Sequence, residues 1–288
     1  CAHLFRKTGI LRPASDERQA GWFKESEAAH PDSCSWMEAE AVRSRWPAVS
    51  AQFGGLFIHR AGRLRLSSLV EALLAASSRR ACEVRAATPV IDFRESSSGV
   101  TVVTESGTVR TRTLLLCTGA DFTDFEDVEA WPSPSARLRA ALSGLALHPL
   151  KGQTITVTRP ESLRTDLPCL AGSGYVVPYP DQLVLGSTYH HAFDDRNPTD
   201  ADTREILEKT NRMLPGIGDA EVISADAGVR MTVPGTRLPL VGPVAGSNRV
   251  WVFTGLGSKG LLMGALVGRS LPDYLNDPSL IPEKLKVR

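Results

Sequence analysis

Hydrophobic positions along this chain change period several times, and each change marks an element. Gly9-Ile10-Leu11 reads as a short strand, and the spacing over Asp16 to Ala29 and Ser35 to Arg45 predicts two helices. Ser35 is the expected N-cap of the second, with Glu38 completing a capping box and Trp46-Pro47 stopping it. A strand follows at Gly54 to Ile58, then a helix capped by Ser67-Ser68 with Leu69, Val70, Leu73 and Leu74 on one face. Alternation then predicts strands at Glu83 to Ala86, Val90 to Arg94 and Gly99 to Thr104, and a hairpin turn at Ser106-Gly107 before Val109 to Thr111. Thr113 to Cys117 is a continuous apolar run, which suits a strand buried on both faces of a parallel sheet. Residues 121–149 are rich in Pro, Ser and Ala around Trp131-Pro132-Ser133-Pro134 and read as a surface excursion. Strands are expected again at Gln153 to Thr158, Gly174 to Val177, Gln182 to Ser187 and Ala220 to Arg230. Amphipathic spacing predicts helices at Asp202 to Leu214 and Lys259 to Tyr274.

The order of these elements sets the fold class: α/β plus antiparallel β. Helices and a buried strand come first, an antiparallel block sits in the middle, and a strand, glycine turn and helix return at the end. This predicts a doubly wound, Rossmann-like nucleotide-binding domain interrupted by a substrate domain with a mixed or antiparallel sheet. Residues 1–50 and 151–225 are expected mainly in the substrate domain, and 51–150 and 226–288 mainly in the nucleotide-binding domain.

Composition narrows the function classes. The 288 residues are 42% hydrophobic and 23% charged, with a formal net charge of +1. There is therefore no global field to recruit nucleic acid or an acidic membrane, and the clusters Arg60, Arg63, Arg65 and Arg79-Arg80 read as a solvated face. Five scattered cysteines without a CxxC argue for a reducing, cytoplasmic compartment. The six histidines include His190-His191 but no HExxH, so no metal site is expected. No apolar run reaches the ~18 residues of a spanning helix. The chain begins Cys-Ala-His-Leu, and we expect it to start inside a longer protein.

The chemistry concentrates near the end. Val250 to Thr254 runs into Gly255-Leu256-Gly257-Ser258-Lys259-Gly260, which opens a helix. Such a turn lets a ligand approach free backbone N–H groups at a helix start carrying partial positive charge. Thr118-Gly119-Ala120 ends the earlier buried strand, and ligands of doubly wound sheets sit beyond the carboxyl ends of strands. Arg230 ends a strand within Gly228-Val229-Arg230-Met231-Thr232, and its guanidinium suits a bidentate carboxylate pair. Each feature also has a plain structural reading: a tight strand–helix connection, a strand-end salt bridge, or, for Lys259, a solvated lysine.

Together these segments resemble the C-terminal signature of flavin-dependent amine and amino-acid oxidases of the D-amino-acid oxidase family, which includes glycine and sarcosine oxidases. Further pieces resemble the same family: Gly54-Gly55-Leu56-Phe57 with Ala61-Gly62-Arg63-Leu64, Lys151-Gly152-Gln153, and Tyr175-Val176-Val177-Pro178 with Leu185-Gly186-Ser187-Thr188. The resemblance implies FAD held by Thr118, Gly119, Ala120, Gly228, Gly255, Leu256, Gly257, Ser258, Lys259 and Gly260. It implies substrate-carboxylate orientation by Arg230 and Lys259. Tyr175, Tyr179, Tyr189 and His190 are pocket candidates, or else packing residues. Some relatives carry a flavin-linking cysteine where this chain has Arg230-Met231, so non-covalent FAD is expected. One departure stands out: no Gly-x-Gly-x-x-Gly follows an early strand, and no acidic ribose-binding residue follows about 20 positions later. We expect those residues upstream of the sequence given.

The implied activity is oxidation of a C–N bond in an amino acid, an N-substituted glycine or a secondary amine, by hydride transfer to flavin. Oxygen or an electron carrier would reoxidise the flavin. Gly257 to Leu261 also resembles the flavin domain of tRNA-modifying amine oxidases, which would put the amine on RNA, although the near-zero charge weakens that reading. A non-catalytic remnant of the flavin fold, serving as a binding module, is the other alternative.

Overall fold

The computed structural model describes residues 4–80, 82–120, 140–142 and 144–287. The chain divides into two compact units: residues 1–84, 153–188 and 197–227 form unit 1, and 85–152, 189–196 and 228–288 form unit 2. Residues 51–84, expected with the nucleotide-binding part, therefore cluster with unit 1. The Trp131 to Pro134 excursion lies outside the described residues.

Unit 1 holds a large mixed sheet. Its strands are β2 (Ile10–Pro13), β3 (Cys34–Met37), β4 (Gly55–Ile58), β11 (Cys169–Gly172), β12 (Gly174–Pro178) and β13 (Gln182–Gly186), with the greater parts of β10 (His148–Thr158) and β14 (Val222–Thr232). The order is β14-β10-β13-β12-β11-β2-β4-β3. β10, β13, β12 and β11 pair as antiparallel neighbours, whereas β11 and β2 run parallel. β1 (Phe5–Arg6) and β5 (Arg63–Leu64) form a separate short ribbon. The helices are α1 (Glu17–Ala29), α2 (Ala39–Arg45), α3 (Leu66–Ser78) and α4 (Asp200–Asn211). Alternation along β10 sends Gln153, Ile155 and Val157 inward, where they meet Leu183, Leu185 and Ile206 in the core.

Gln153 is a polar residue in that core, and its hydrogen bonds explain why it is tolerated. Its Oε1 accepts from the Thr199 N–H at 2.7 Å, and its Nε2 donates to the Thr199 carbonyl at 3.0 Å and the Thr203 hydroxyl at 2.8 Å. Thr199 is the N-cap of α4, its own hydroxyl accepting from the Asp202 N–H. One buried amide thus fastens the start of α4 to the centre of the sheet.

Unit 2 sandwiches a three-stranded sheet. β16 (Val250–Thr254) lies between β15 (Leu240–Pro243), antiparallel to it, and β9 (Leu114–Leu116), parallel to it. Val250 and Val252 face a core shared with Phe93 of β6 (Val90–Ser96) and with Val100 and Val102 of β7 (Gly99–Thr104); β8 (Gly107–Thr111) completes that meander. Trp251 faces the other way, toward Met263 and Val267 of α5 (Gly260–Asn276). Burial on both faces is the reason β16 reads as a continuous apolar run. Within β9, by contrast, only Leu116 is fully buried.

Three local expectations are corrected. Ser35 does not cap a helix: Cys34 to Met37 pairs with β4, and α2 starts only at Ala39. Cross-strand pairing outweighs the local capping-box pattern there. Ser67-Ser68 lies inside α3, whose N-cap is Arg65 without a side-chain bond, and Val70, Leu73 and Leu74 of the expected packing face are exposed. Glu83 to Ala86 is loop and turn, because no strand among the described residues supplies a ladder for it.

Candidate functional site

The expected flavin segments meet at one end of the unit 2 sheet. β9 and β16 run parallel, with Leu116 opposite Val252. Their carboxyl ends therefore deliver Thr118-Gly119-Ala120 and Gly255 to Gly260 to the same edge, where ligands of such sheets bind. Gly119 has φ +62°, and a Cβ on it would meet nothing within 4 Å.

Gly255 is glycine for two reasons. Its φ is +73°, and a Cβ would sit 2.7 Å from Val233 Cγ2 and 3.3 Å from Leu147 Cδ2. Gly257 also lies in the left-handed region, at φ +51°. α5 starts at Gly260 with no side-chain cap, which leaves its first N–H groups without side-chain partners. Just before the turn, the Thr254 hydroxyl is buried with no hydrogen-bond partner. Bare backbone, a helix start and an orphaned hydroxyl at one sheet edge fit a polar cofactor edge.

Beside this turn is a cavity of about 580 Å³, lined within unit 2 by His148, Tyr189, His191, Arg230, Gly255, Gly257 and Ser258 among others. Three chain segments are pinned together to make it. The Thr232 hydroxyl donates to the His148 carbonyl at 3.0 Å, and Thr232 bridges Leu256 in an antiparallel pair. Arg230 lies two residues before Thr232 on β14, hence on the same face. Its guanidinium carbon is 4.9 Å from the centre of the Tyr189 ring, a cation–π arrangement. His148 Nε2 and His191 Nδ1 are 2.9 Å apart. Buried Lys151 donates to Asp195 at 3.0 Å, while its main chain pairs both ways with His190.

The structure thus brings Arg230, Tyr189, Gly255, Gly257 and Ser258 into one lining. Other expected residues fall elsewhere. Lys259 is exposed at the start of α5 and is not in that lining; neither is the His190 side chain. Tyr175 belongs to unit 1, opposite Gly186, where a glycine Cβ would come within 2.5 Å of its Oη. Tyr179 is also in unit 1, with Arg63 and Arg65 at 4.7 and 4.9 Å from its ring. The cluster read as a solvated arginine face is in part a packing device. A Cβ on Gly228 would meet nothing within 4 Å, so packing does not demand glycine there. His148 and His191 were not foreseen, since they are 43 residues apart and nothing local pairs them.

The sequence profile of the FAD-dependent oxidoreductase family DAO matches residues 2–273. The chain belongs to this family. FAD is the cofactor the family name carries. Glycine oxidase of Geobacillus kaustophilus is 28% identical over 233 residues, covering 79% of this chain and 57% of that protein. The tRNA 5-methylaminomethyl-2-thiouridine biosynthesis bifunctional protein MnmC of Hahella chejuensis is 32% identical over 160 residues, covering 52% of this chain and 25% of that protein. The crystal structure of glycine oxidase from Geobacillus kaustophilus superposes with a TM-score of 0.79 over 95% of this chain and 72% of that one, at 22% identity, a likeness of fold. The chain thus spans from a quarter to just over half the length of these two curated relatives. Among the described residues no helix is long and apolar enough to cross a membrane.

Proposed function

We propose that this FAD-dependent oxidoreductase oxidises the C–N bond of a small amino acid or N-substituted glycine. The observation that carries the reading is Arg230, half-buried against Tyr189 in the cavity whose rim is the Gly255–Ser258 turn. A guanidinium held by an aromatic ring loses little freedom on pairing with a carboxylate, and can do so bidentately. A second cation, Arg237, lines the same cavity, and among the described lining residues there is no carboxylate. The lining therefore favours an anionic substrate.

Bound FAD would accept the hydride from the carbon next to the amine. The protein residues do the rest. Arg230 fixes the carboxylate and so the facing of that carbon. The turn from Gly255 through Leu256, Gly257, Ser258 and Lys259 to Gly260, with Thr118 to Ala120 and Gly228, would hold the cofactor non-covalently through backbone N–H groups other than that of Lys259, which donates to the Leu256 carbonyl at 2.9 Å. The positive end of α5 favours negative charge at its N-terminus. In this reading unit 2 carries both the cofactor-holding turn and the carboxylate-orienting arginine. The electron acceptor is oxygen or a carrier protein. The described cysteines Cys34, Cys82, Cys117 and Cys169 are free thiols, in keeping with cytoplasmic work.

The likeness to the bifunctional tRNA-biosynthesis protein supports a second reading, in which the amine is carried on RNA. The test is anaerobic mixing of the FAD-loaded protein with glycine, N-methylglycine and D-amino acids. Loss of flavin absorbance with a free amino acid supports the first reading. Loss only with an aminomethyl-modified tRNA supports the second. Peroxide formation on admitting air separates oxygen from a carrier as acceptor.

A further inference from the structure

Amino acids arrive at neutral pH as zwitterions, and an ammonium group has no lone pair to assist hydride loss. The proton must leave first, so we asked which residue of the cavity can take it. Among the described lining residues the ionisable side chains are Tyr189, Arg230, Arg237, His148 and His191. A guanidinium has donors and no acceptor site, and the Tyr189 ring is engaged as the support of Arg230. Lys151, the nearest amine on β10, is committed to Asp195. The two imidazoles are the bases that remain.

Their arrangement does more than supply a base. With His148 Nε2 and His191 Nδ1 2.9 Å apart, one nitrogen donates and the other accepts. If the bridging proton sits on His148, then His148 Nδ1 is an open acceptor and His191 Nε2 carries a hydrogen. His148 is half-buried and His191 is exposed. A proton taken at His148 Nδ1 can therefore be matched by transfer of the bridging proton to His191 and release of the His191 Nε2 proton to water.

We propose that His148 and His191 form a two-imidazole relay that carries the substrate ammonium proton from the cavity to solvent. One N–H bond breaks on the substrate and one forms on His148; the bridging proton changes rings; one proton leaves to water. No electrons move in this step. The inference rests on the proposed amine-oxidising reading and adds its proton path.

The test uses the full FAD-loaded protein and two probes, 2-aminoisobutyrate, which has an ammonium but no α-hydrogen, and isobutyrate, which has only the carboxylate. Calorimetry in two buffers of different ionisation enthalpy counts the protons released on binding. The relay predicts that the native protein releases about one proton with 2-aminoisobutyrate and none with isobutyrate. His148→Asn should slow that release about 10²-fold, read by stopped-flow with a pH indicator dye, because the path is lost while the final count is set by the bound amine. In turnover, His148→Asn and His191→Asn should lower kcat/KM by about 10²-fold at pH 7. The deficit should vanish at high pH, where the amine arrives neutral. Proton release by His148→Asn at the native rate, or a deficit constant with pH, overturns the relay while leaving the carboxylate reading intact. Failure of both probes to bind overturns the free-amino-acid reading on which the relay rests, and the relay falls with it.

Discussion

The guanidinium of Arg230 stands 4.9 Å from the ring centre of Tyr189, although 41 positions of chain separate them. The pairing orients a fixed positive charge on the wall of the cavity that the Gly255–Ser258 turn borders. Arg230→Lys should keep the charge but lose the planar fork, raising KM for an amino-acid substrate by about 10-fold, and Arg230→Ala by about 10²-fold or more. Tyr189→Leu should give a smaller rise, because the charge stays but its support goes. Steady-state kinetics on the three variants checks this. An unchanged KM in Arg230→Ala would remove the arginine from the site.

Gly255→Ala should loosen FAD. The added methyl meets Val233 at 2.7 Å, and the residue must also hold φ +73°. The backbone strain alone is about 1–2 kcal/mol. Release of FAD, followed by flavin fluorescence, should be faster in the variant. Adding Val233→Ala should restore only part of the loss, since the clash is relieved but the φ is not.

Gln153→Ala should destabilise unit 1 without touching the cavity. It strips the Thr199 N–H of its Gln153 partner at the start of α4, while the Thr199 carbonyl keeps the Thr203 N–H at 3.1 Å. Losing the bonds of a buried amide should cost about 1–3 kcal/mol. Urea unfolding of the native and variant proteins measures it.

Cys169 is buried beside the Thr8 hydroxyl, and burial pushes its thiol pKa up, opposed by Thr8 and the charge of Arg63. The folded chain thus holds this proton more tightly than the unfolded chain does. Its contribution to stability is full below the ordinary thiol range and is lost as pH rises through the raised value. Iodoacetamide at neutral pH should label exposed Cys82 well before Cys169. Equal rates would contradict the burial account.

Much of the fold was legible because it rests on local period. β10 alternates, α4 keeps helical spacing, and β16 is apolar throughout because both its faces are covered. The glycine turn was legible because positive φ leaves few residue choices. What failed depended on distant partners. Cys34 to Met37 is a strand only because β4 lies beside it. Lys151 and Gln153 read as a motif, but their roles come from Asp195, Thr199 and Thr203, more than 40 residues on. The site divided in the same way. Arg230 and the glycines stood out by residue type and position, whereas the His148–His191 pair exists only through tertiary contact.

The central claim is that this chain presents a carboxylate-orienting arginine to a flavin-held site. Anaerobic titration of the FAD-loaded protein with glycine, N-methylglycine and D-amino acids, followed by visible absorption, tests it most directly. The account predicts that the flavin band bleaches with at least one of these substrates, and that Arg230→Ala needs far more substrate to bleach. A protein that takes up no FAD, or one whose flavin stays oxidised with every amine including an aminomethyl-modified tRNA, would contradict it.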